Sequence, residues 1–389
     1  MTIVKRIAQI AVCYAVLFCV FFLLRFYFPA EPELPLEHPS PEPETLETSA
    51  ESEPELEIPT FVIYSPQIVE EIGESPAPLP AVAKYYKNIP KREIVICAVG
   101  DTTLASESRK GYAGSFYEYF DLYGPGYFME NVAHIFAESD FAVANLECAL
   151  TDNLDPNIKR AGQYNYRGYA TYTSILSAGG IGAVNLSNNH SYDYSETGYN
   201  DTIAALEAAG IGYFGNGDVF ICEIGGIKVG FVSTIGYGTA DIKQGLDYLA
   251  SQEVEVKIVT FHWGIMDQRV ANASQVAAAR YAIDCGADLV IGHHPHVLQG
   301  TELYKGRYIA YSIGNFIFDG NVISDVENRT SVILKAKFAL VGSKVVDCQI
   351  ELVPIFTISN FSRNNFRPML AEGAAGEEIL AKIRARSGG

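Results

Sequence analysis

Cysteine is scarce and unpatterned in this 389-residue chain. The seven cysteines, Cys13, Cys19, Cys97, Cys148, Cys222, Cys285 and Cys348, form no C-x-x-C pair, and their number is odd. Two fall in the apolar N-terminus and most others in strand-like or helix-like apolar runs. That excludes a disulfide framework and a zinc–thiolate site, and leaves them as small core residues. Positive charge is also short, with 28 Lys and Arg against 46 Asp and Glu, a net of −18. No nucleic acid is expected as a partner, because no basic face is available to hold one. Internal repeats are absent, and only one apolar run is long enough to matter for a membrane.

That run is Ile7–Leu24, 18 residues with Gln9 as the only strongly polar one, between Lys5-Arg6 and Arg25. At about 1.5 Å per helical residue it comes close to spanning a bilayer. Its exit, Arg25-Phe26-Tyr27-Phe28-Pro29, is bulky and aromatic, which suits an interfacial belt better than a peptidase site. Residues 1–30 are therefore expected to be a transmembrane signal anchor, with the N-terminus in the cytoplasm and a single-pass protein displayed outside the cell. A cleaved signal peptide is the alternative. Residues 31–91 are rich in Glu and Pro: Glu31–Pro90 holds 13 Glu against 2 Lys, and 12 of the 18 prolines. Such a segment repels itself and cannot bury a core, so a disordered, extended stalk is expected.

From Arg92 the texture changes, and 92–389 is read as one folded domain. The hydrophobic content of 48% supports a sizeable core. Strand-like runs alternate with helix-like ones: Ile94–Val99, Phe141–Ala144, Ala183–Leu186, Val256–Thr260 and Ala287–Gly292 against Tyr127–Glu138, Tyr172–Ala178, Tyr199–Ala209 and Ala273–Cys285. Hairpins are expected at Val219–Ser233 and Thr301–Ser312, two long strands at Ser331–Leu340 and Lys344–Pro354, and a short helix at Glu377–Ala385.

Histidine is rare as well, seven in all, and five of them lie between His190 and His296. Three occur in Ile291-Gly292-His293-His294-Pro295-His296-Val297, at a strand's carboxyl end, where open α/β sheets carry their sites. In an extended segment residues two apart point the same way, so His294 and His296 are expected to share a side and His293 to face away. Five successive strand ends carry possible ligands: Asp101, Glu147, Asn189 with His190, His262, and His294 with His296. Carboxylate, amide and imidazole together form the mixed O/N set that holds divalent ions. Ser312, Gly314 and Asn315, in a turn after another strand, are expected near the same pocket.

These residues resemble the CapA family of capsule or poly-γ-glutamate biosynthesis proteins, which belong to the calcineurin-like metallophosphoesterases. The strongest part is Gly292–Asp319, GHHPHVLQGTELYKGRYIAYSIGNFIFD. Gly100-Asp101, Asn145-Leu146-Glu147, Asn188-Asn189-His190 with Asp193 and Gly198, and His262-Trp263-Gly264 are also similar. The resemblance implies an α/β (α+β) fold, a four-layer αββα sandwich. It implies one or two divalent ions, Mn, Fe or Zn, on Asp101, Glu147, Asn189, His262, His294 and His296. It casts His190, oriented by Asp193, as the catalytic pair, and puts Asn188, Ser312 and Asn315 on the substrate side. Three departures stand out, the least of them Cys148-Ala149, which follows Glu147 where Gly-Pro is frequent and bears only on local loop shape. Thr103 occupies the place of the histidine in the usual Asp-x-His, and Met266 stands where a glutamate is frequent after His-Trp-Gly.

Two functions follow as expectations. The first is a membrane-anchored, metal-dependent hydrolase or transferase acting on an extracellular anionic polymer or an envelope phosphoester. The second is a non-catalytic assembly or export subunit beside the membrane subunits of a capsule synthase. His190 with Asp193 favours the first; Thr103 and Met266 favour the second. An anchored polymer-binding module without metal would leave the strand-end ligands unexplained.

Overall fold

The structure is a computed structural model that describes residues 91–107, 109–153, 164–320 and 325–387. The expected membrane helix at 1–30, and all of the expected stalk except Lys91, lie outside the described residues. Among the described residues no helix is long and apolar enough to cross a membrane.

The chain begins with β1 (Arg92–Thr102), β2 (Ser106–Glu107), α1 (Phe116–Tyr123), α2 (Ala133–Ala137), β3 (Phe141–Leu146), β4 (Ala149–Leu150) and β5 (Tyr166–Gly168). It continues through α3 (Thr173–Gly179), β6 (Ala183–Asn185), α4 (Ser195–Ala208) and β7 (Gly212–Phe214). A hairpin of β8 (Phe220–Ile224) and β9 (Ile227–Ile235) leads to α5 (Thr239–Ser251), β10 (Val256–His262), α6 (Ala273–Asp284) and β11 (Leu289–His293). The hairpin β12 (Thr301–Tyr304) and β13 (Arg307–Ala310) precedes β14 (Thr330–Val341), β15 (Lys344–Phe356), β16 (Met369–Leu370) and α7 (Gly373–Arg386).

The strands form two large mixed sheets, ordered β16-β15-β14-β1-β3-β6-β7 and β12-β13-β11-β10-β9-β8, and a small third one, β2-β5-β4. Alternation along β1 shows how they stack. Ile94, Ile96 and Ala98 join Val143, Phe231, Ile258, Ile291 and Phe338 in one apolar cluster shared by the two large sheets. Cys97 and Val99 point the other way, into a second cluster with Phe116, Ile175, Leu176 and Leu206 of the helices. Val232, Val259, Phe261 and Val290 cover the far face of the second sheet and meet Ile242, Leu246 and Ala279 of α5 and α6. The layers thus run helix, sheet, sheet, helix, because each strand carries apolar side chains on both faces. Helix α7 differs: its Ile379, Leu380 and Ile383 enter the inter-sheet cluster itself and close one end of it.

Most expected elements are present; the short strands β2, β4, β5, β7 and β16 are additional, and the helices differ at three places. The helix expected over Tyr127–Glu138 is reduced to a 3-10 turn at Pro125–Phe128 and the five-residue α2. Helix α1 was not expected, although Phe116, Tyr119, Phe120 and Tyr123 of its sequence, FYEYFDLY, recur at helical spacing; its start is set by the Ser115 hydroxyl accepting the Glu118 N–H. Nor was α5, which follows Gly238 and carries Gly245 in its interior, a residue that argues against a helix on propensity alone.

Candidate metal centre

The carboxyl ends of β1, β3, β6, β10 and β11 converge on one buried pocket. Two glycines let the backbone close around it. A Cβ on Gly100 would lie 1.9 Å from the Gly314 carbonyl oxygen, and one on Gly292 would lie 1.9 Å from that of Tyr311. With that approach open, Asp101 N–H donates to Gly314 O at 3.0 Å and Phe316 N–H donates to Asp101 O at 2.8 Å. The turn bearing Asn315 is thereby laid beside the ligand-bearing strand end.

Glu147 sits at the centre, fully buried. Neither carboxylate oxygen has a hydrogen-bond partner. Instead Oε1 lies 3.6 Å from His262 Nε2, 3.8 Å from His296 Nε2 and 4.0 Å from His190 Nε2. A buried carboxylate left unbonded among imidazole nitrogens, at distances too long for hydrogen bonds, is the arrangement expected around a cation. Two ligand groups share it, Glu147–His262–His294 and Asp101–Glu147–His296, each with ligand atoms within 4.8 Å of one another. Asn189 Oδ1 lies 2.5 Å from His262 Nε2 and joins the same cluster. Carboxylate, amide and imidazole without thiolate suit a divalent ion.

The electrostatics follow from burial. Burial first, and then the Asp101 and Asp193 charges, push the Glu147 carboxyl well above its ordinary range. Burial pushes Asp101 the same way, but the adjoining His293 and His296 imidazoles outweigh it and hold Asp101 well below the usual range. Burial first holds both His262 and His294 below the ordinary imidazole range; the Asp101 charge opposes it and neighbouring imidazoles add to it. Imidazoles that stay neutral are free to act as ligands.

The histidine loop reaches this arrangement by a route other than strand alternation. Strand β11 ends at His293, and His294 and His296 have φ of 94° and 57°. Two left-handed residues, not an extended backbone, bring the two rings to the same pocket. His294 Nδ1 lies 3.1 Å from His262 Nε2, and His296 Nδ1 lies 3.0 Å from both Asp101 Oδ2 and Asn315 Oδ1. With acceptors on that side, Nδ1 of His296 carries the proton and Nε2 turns its lone pair towards Glu147. The expectation that His293 faces away is corrected: it is buried, and its Nδ1 lies 3.4 Å from Asp101 Oδ1. It is a neighbour of a ligand and lies in neither ligand group.

His190 and Asp193 are brought together as a pair, Nδ1 to Oδ2 at 2.8 Å. The Tyr166 N–H donates to the same Asp193 oxygen at 2.7 Å, and the Tyr166 ring meets the imidazole edge-on at 4.8 Å. The residues expected on the substrate side are placed differently. Asn188 is buried with both donors used, to Asn145 Oδ1 at 3.2 Å and Leu146 O at 2.8 Å, and its oxygen accepts the His190 N–H and the Ser191 hydroxyl. Its amide is committed to holding the loop. The Ser312 hydroxyl likewise donates to Val297 O at 2.7 Å. Asn315 does reach the pocket, through His296. Thr103 accepts the Asp319 N–H at 2.8 Å and so fixes backbone where a ligand would otherwise stand, and Met266 is exposed.

Three contributors, Asn145, Tyr166 and Phe318, were given no role of their own from sequence. Asn145 donates to Asp101 Oδ1 at 2.8 Å, and its own oxygen accepts from Asn185 at 2.9 Å, so an amide chain from β6 steadies the carboxylate of β1. Phe318 lays its ring 4.5 Å from that of His296. Asn145, two residues before Glu147 at a strand end, had a signal in that position; Tyr166 and Phe318 had none.

A model of the family described as bacterial capsule synthesis protein PGA_cap matches residues 95–320. The chain is 30% identical over 230 residues to the capsule biosynthesis protein CapA of Bacillus anthracis, covering 52% of this chain and 56% of that protein. It is 30% identical over 213 residues to the PGA biosynthesis protein CapA of Bacillus subtilis (strain 168), covering 48% and 56%. The chain spans about half the length of the curated relatives it matches. Among solved structures, a 5'-nucleotidase precursor from Thermus thermophilus is similar at 11% identity and a TM-score of 0.42, over 76% of this chain and 58% of that one.

Proposed function

We propose, from the premise that this chain belongs to the bacterial capsule synthesis protein family matched by its residues 95–320, that it is a metal-dependent hydrolase or transferase of the metallophosphoesterase type. Its substrate would be an extracellular anionic polymer such as poly-γ-glutamate, or a phosphoester of the envelope. Residues 1–30 would anchor it in the cell membrane with the folded domain outside.

The observation that carries this reading is the unbonded, buried Glu147 carboxylate ringed by His190, His262 and His296. Asp101, Glu147, Asn189, His262, His294 and His296 would hold one or two divalent ions, which when bound supply Lewis acidity and an activated water. The chain's own part is to place His190. Asp193 fixes its Nδ1 at 2.8 Å, which leaves Nε2 directed into the pocket to hold or deliver a proton at a leaving oxygen. A structural ion needs no such pair. The second reading, an assembly or export subunit of a capsule synthase, is favoured by Thr103, whose hydroxyl is committed to Asp319.

The full chain, recovered from membranes, separates the two. The wild type is expected to carry divalent metal and to turn over a phosphodiester or poly-γ-glutamate. His190→Asn is expected to keep the metal and lose about 10²–10⁴-fold in turnover, the range typical of a general acid or base. Metal without turnover in the wild type supports the assembly role, and a full chain found only in the soluble fraction removes the anchor.

A further inference from the structure

The loop that presents His294 and His296 is held from outside at four successive carbonyls. Pro295 O accepts the Asp267 N–H at 2.9 Å. His296 O accepts the Asn328 side-chain amide at 3.4 Å, Val297 O the Ser312 hydroxyl at 2.7 Å, and Leu298 O the Arg386 guanidinium at 2.7 Å. Each donor comes from a different part of the chain. The last is the final residue of α7, outside the residues that the family model matches.

Arg386 is built into this place. Its second nitrogen lies 2.7 Å from Glu327 Oε2, and both side chains are only 12% exposed. Lys382, one turn earlier, lies 3.5 Å from the other Glu327 oxygen. Thr301 N–H donates to the Ser387 hydroxyl at 2.8 Å. Gly300 approaches so closely that a Cβ there would stand 2.2 Å from the Arg386 carbonyl oxygen.

The loop needs such support. His294 and His296 both have left-handed backbone, at φ 94° and 57°, a strained conformation that persists only where its surroundings over-determine it. Regular pairing supplies little of this: β11 stops at His293, β12 begins at Thr301, and between them only an isolated antiparallel bridge joins Leu298 to Ile313. We propose that Arg386 is a positioning residue for the metal centre: the tail of α7 clamps Leu298 and so holds His294 and His296 in their ligand-presenting conformation. The inference rests on the reading that those histidines bind a divalent ion. The competing role for α7 is to fill the core through Ile379, Leu380 and Ile383, which Arg386→Ala leaves untouched.

The test uses the full chain with Co²⁺ alone as the probe, reading affinity by chelator competition, the visible spectrum of the bound ion, and the melting temperature of the metal-free protein. Arg386→Ala is expected to weaken Co²⁺ by about 10–100-fold, as loss of outer support to a ligand does, and to alter the visible band. Arg386→Lys, with one nitrogen in place of the fork, is expected to fall between. Arg384→Ala, on the same helix but 42% exposed, is expected to match the wild type. Wild-type affinity and spectrum in Arg386→Ala overturn the clamp, as does a lowered melting temperature with unchanged affinity. If Arg386→Ala does not fold, Glu327→Gln, which loosens the guanidinium without removing it, is expected to show the same weakening, and its failure to do so overturns the clamp equally. A wild-type chain that takes up no Co²⁺ removes the metal reading itself, and the clamp with it.

Discussion

Full-length protein carrying Glu147→Gln is expected to lose its divalent ion and, freed of metal, to be more stable than the wild type. The two effects have opposite signs and one cause. Glu147 belongs to both ligand groups, so its loss should weaken binding by more than the roughly 10–100-fold typical of groups behind the ligands. Saturating metal at about 100 times its dissociation constant stabilises the wild type by about 2.7 kcal/mol, and the variant should show no such gain. Without metal the same carboxylate is a burden, being fully buried with both oxygens unbonded. An unsatisfied buried acceptor costs about 1–3 kcal/mol, and more when charged.

The pH dependence gives the sign. Burial raises the folded-state pKa of Glu147, so its contribution is fully present below its unfolded value of about 4.3 and is lost as pH rises through the folded one. Glutamine mimics the protonated form at every pH. The stability gap between variant and wild type, both metal-free, should therefore be small near pH 4 and widen towards neutrality. Thermal melts across that range decide it: a flat or reversed gap means that Glu147 has a partner in the metal-free protein.

The histidines should divide sharply in metal content. His262→Ala, His294→Ala and His296→Ala are each expected to lose most of the bound ion, because each removes one imidazole from a group of three. His293→Ala is expected to retain it, with affinity lowered about 10–100-fold. The His293 ring touches Asp101 at 3.4 Å but belongs to neither group. Metal analysis of the four purified variants checks this. Loss in His293→Ala equal to that in His294→Ala, or full retention in His294→Ala, would mean that the ligand register is wrong.

The lowered pKa values of His262 and His294 fit the same picture. Their neutral forms are favoured in the fold, so stability in the metal-free state is lost as pH falls below their unfolded value of about 6.5. Bound metal should shift that acid limit downward.

What the sequence determined by itself is local. Asp101, Glu147, Asn189, His262, His294 and His296 were legible because each follows a short apolar run, and parallel strands place their carboxyl ends on one edge. The pairing of His190 with Asp193 came only from the family resemblance of Asn188-Asn189-His190 with Asp193. What the tertiary structure alone decided depends on partners far along the chain. Alternation predicted that His294 and His296 share a side, but the shared pocket is reached through two left-handed residues that nothing in the local sequence requires. Asn188 and Ser312 looked available to a ligand until their hydrogen bonds to Asn145, Leu146 and Val297 were seen. His293 was drawn inward by Asp101, 192 residues earlier in sequence, and Arg386 reaches Leu298 across 88. A strand end can present a ligand from sequence alone, but the angle of that ligand is set by donors that only packing brings to it.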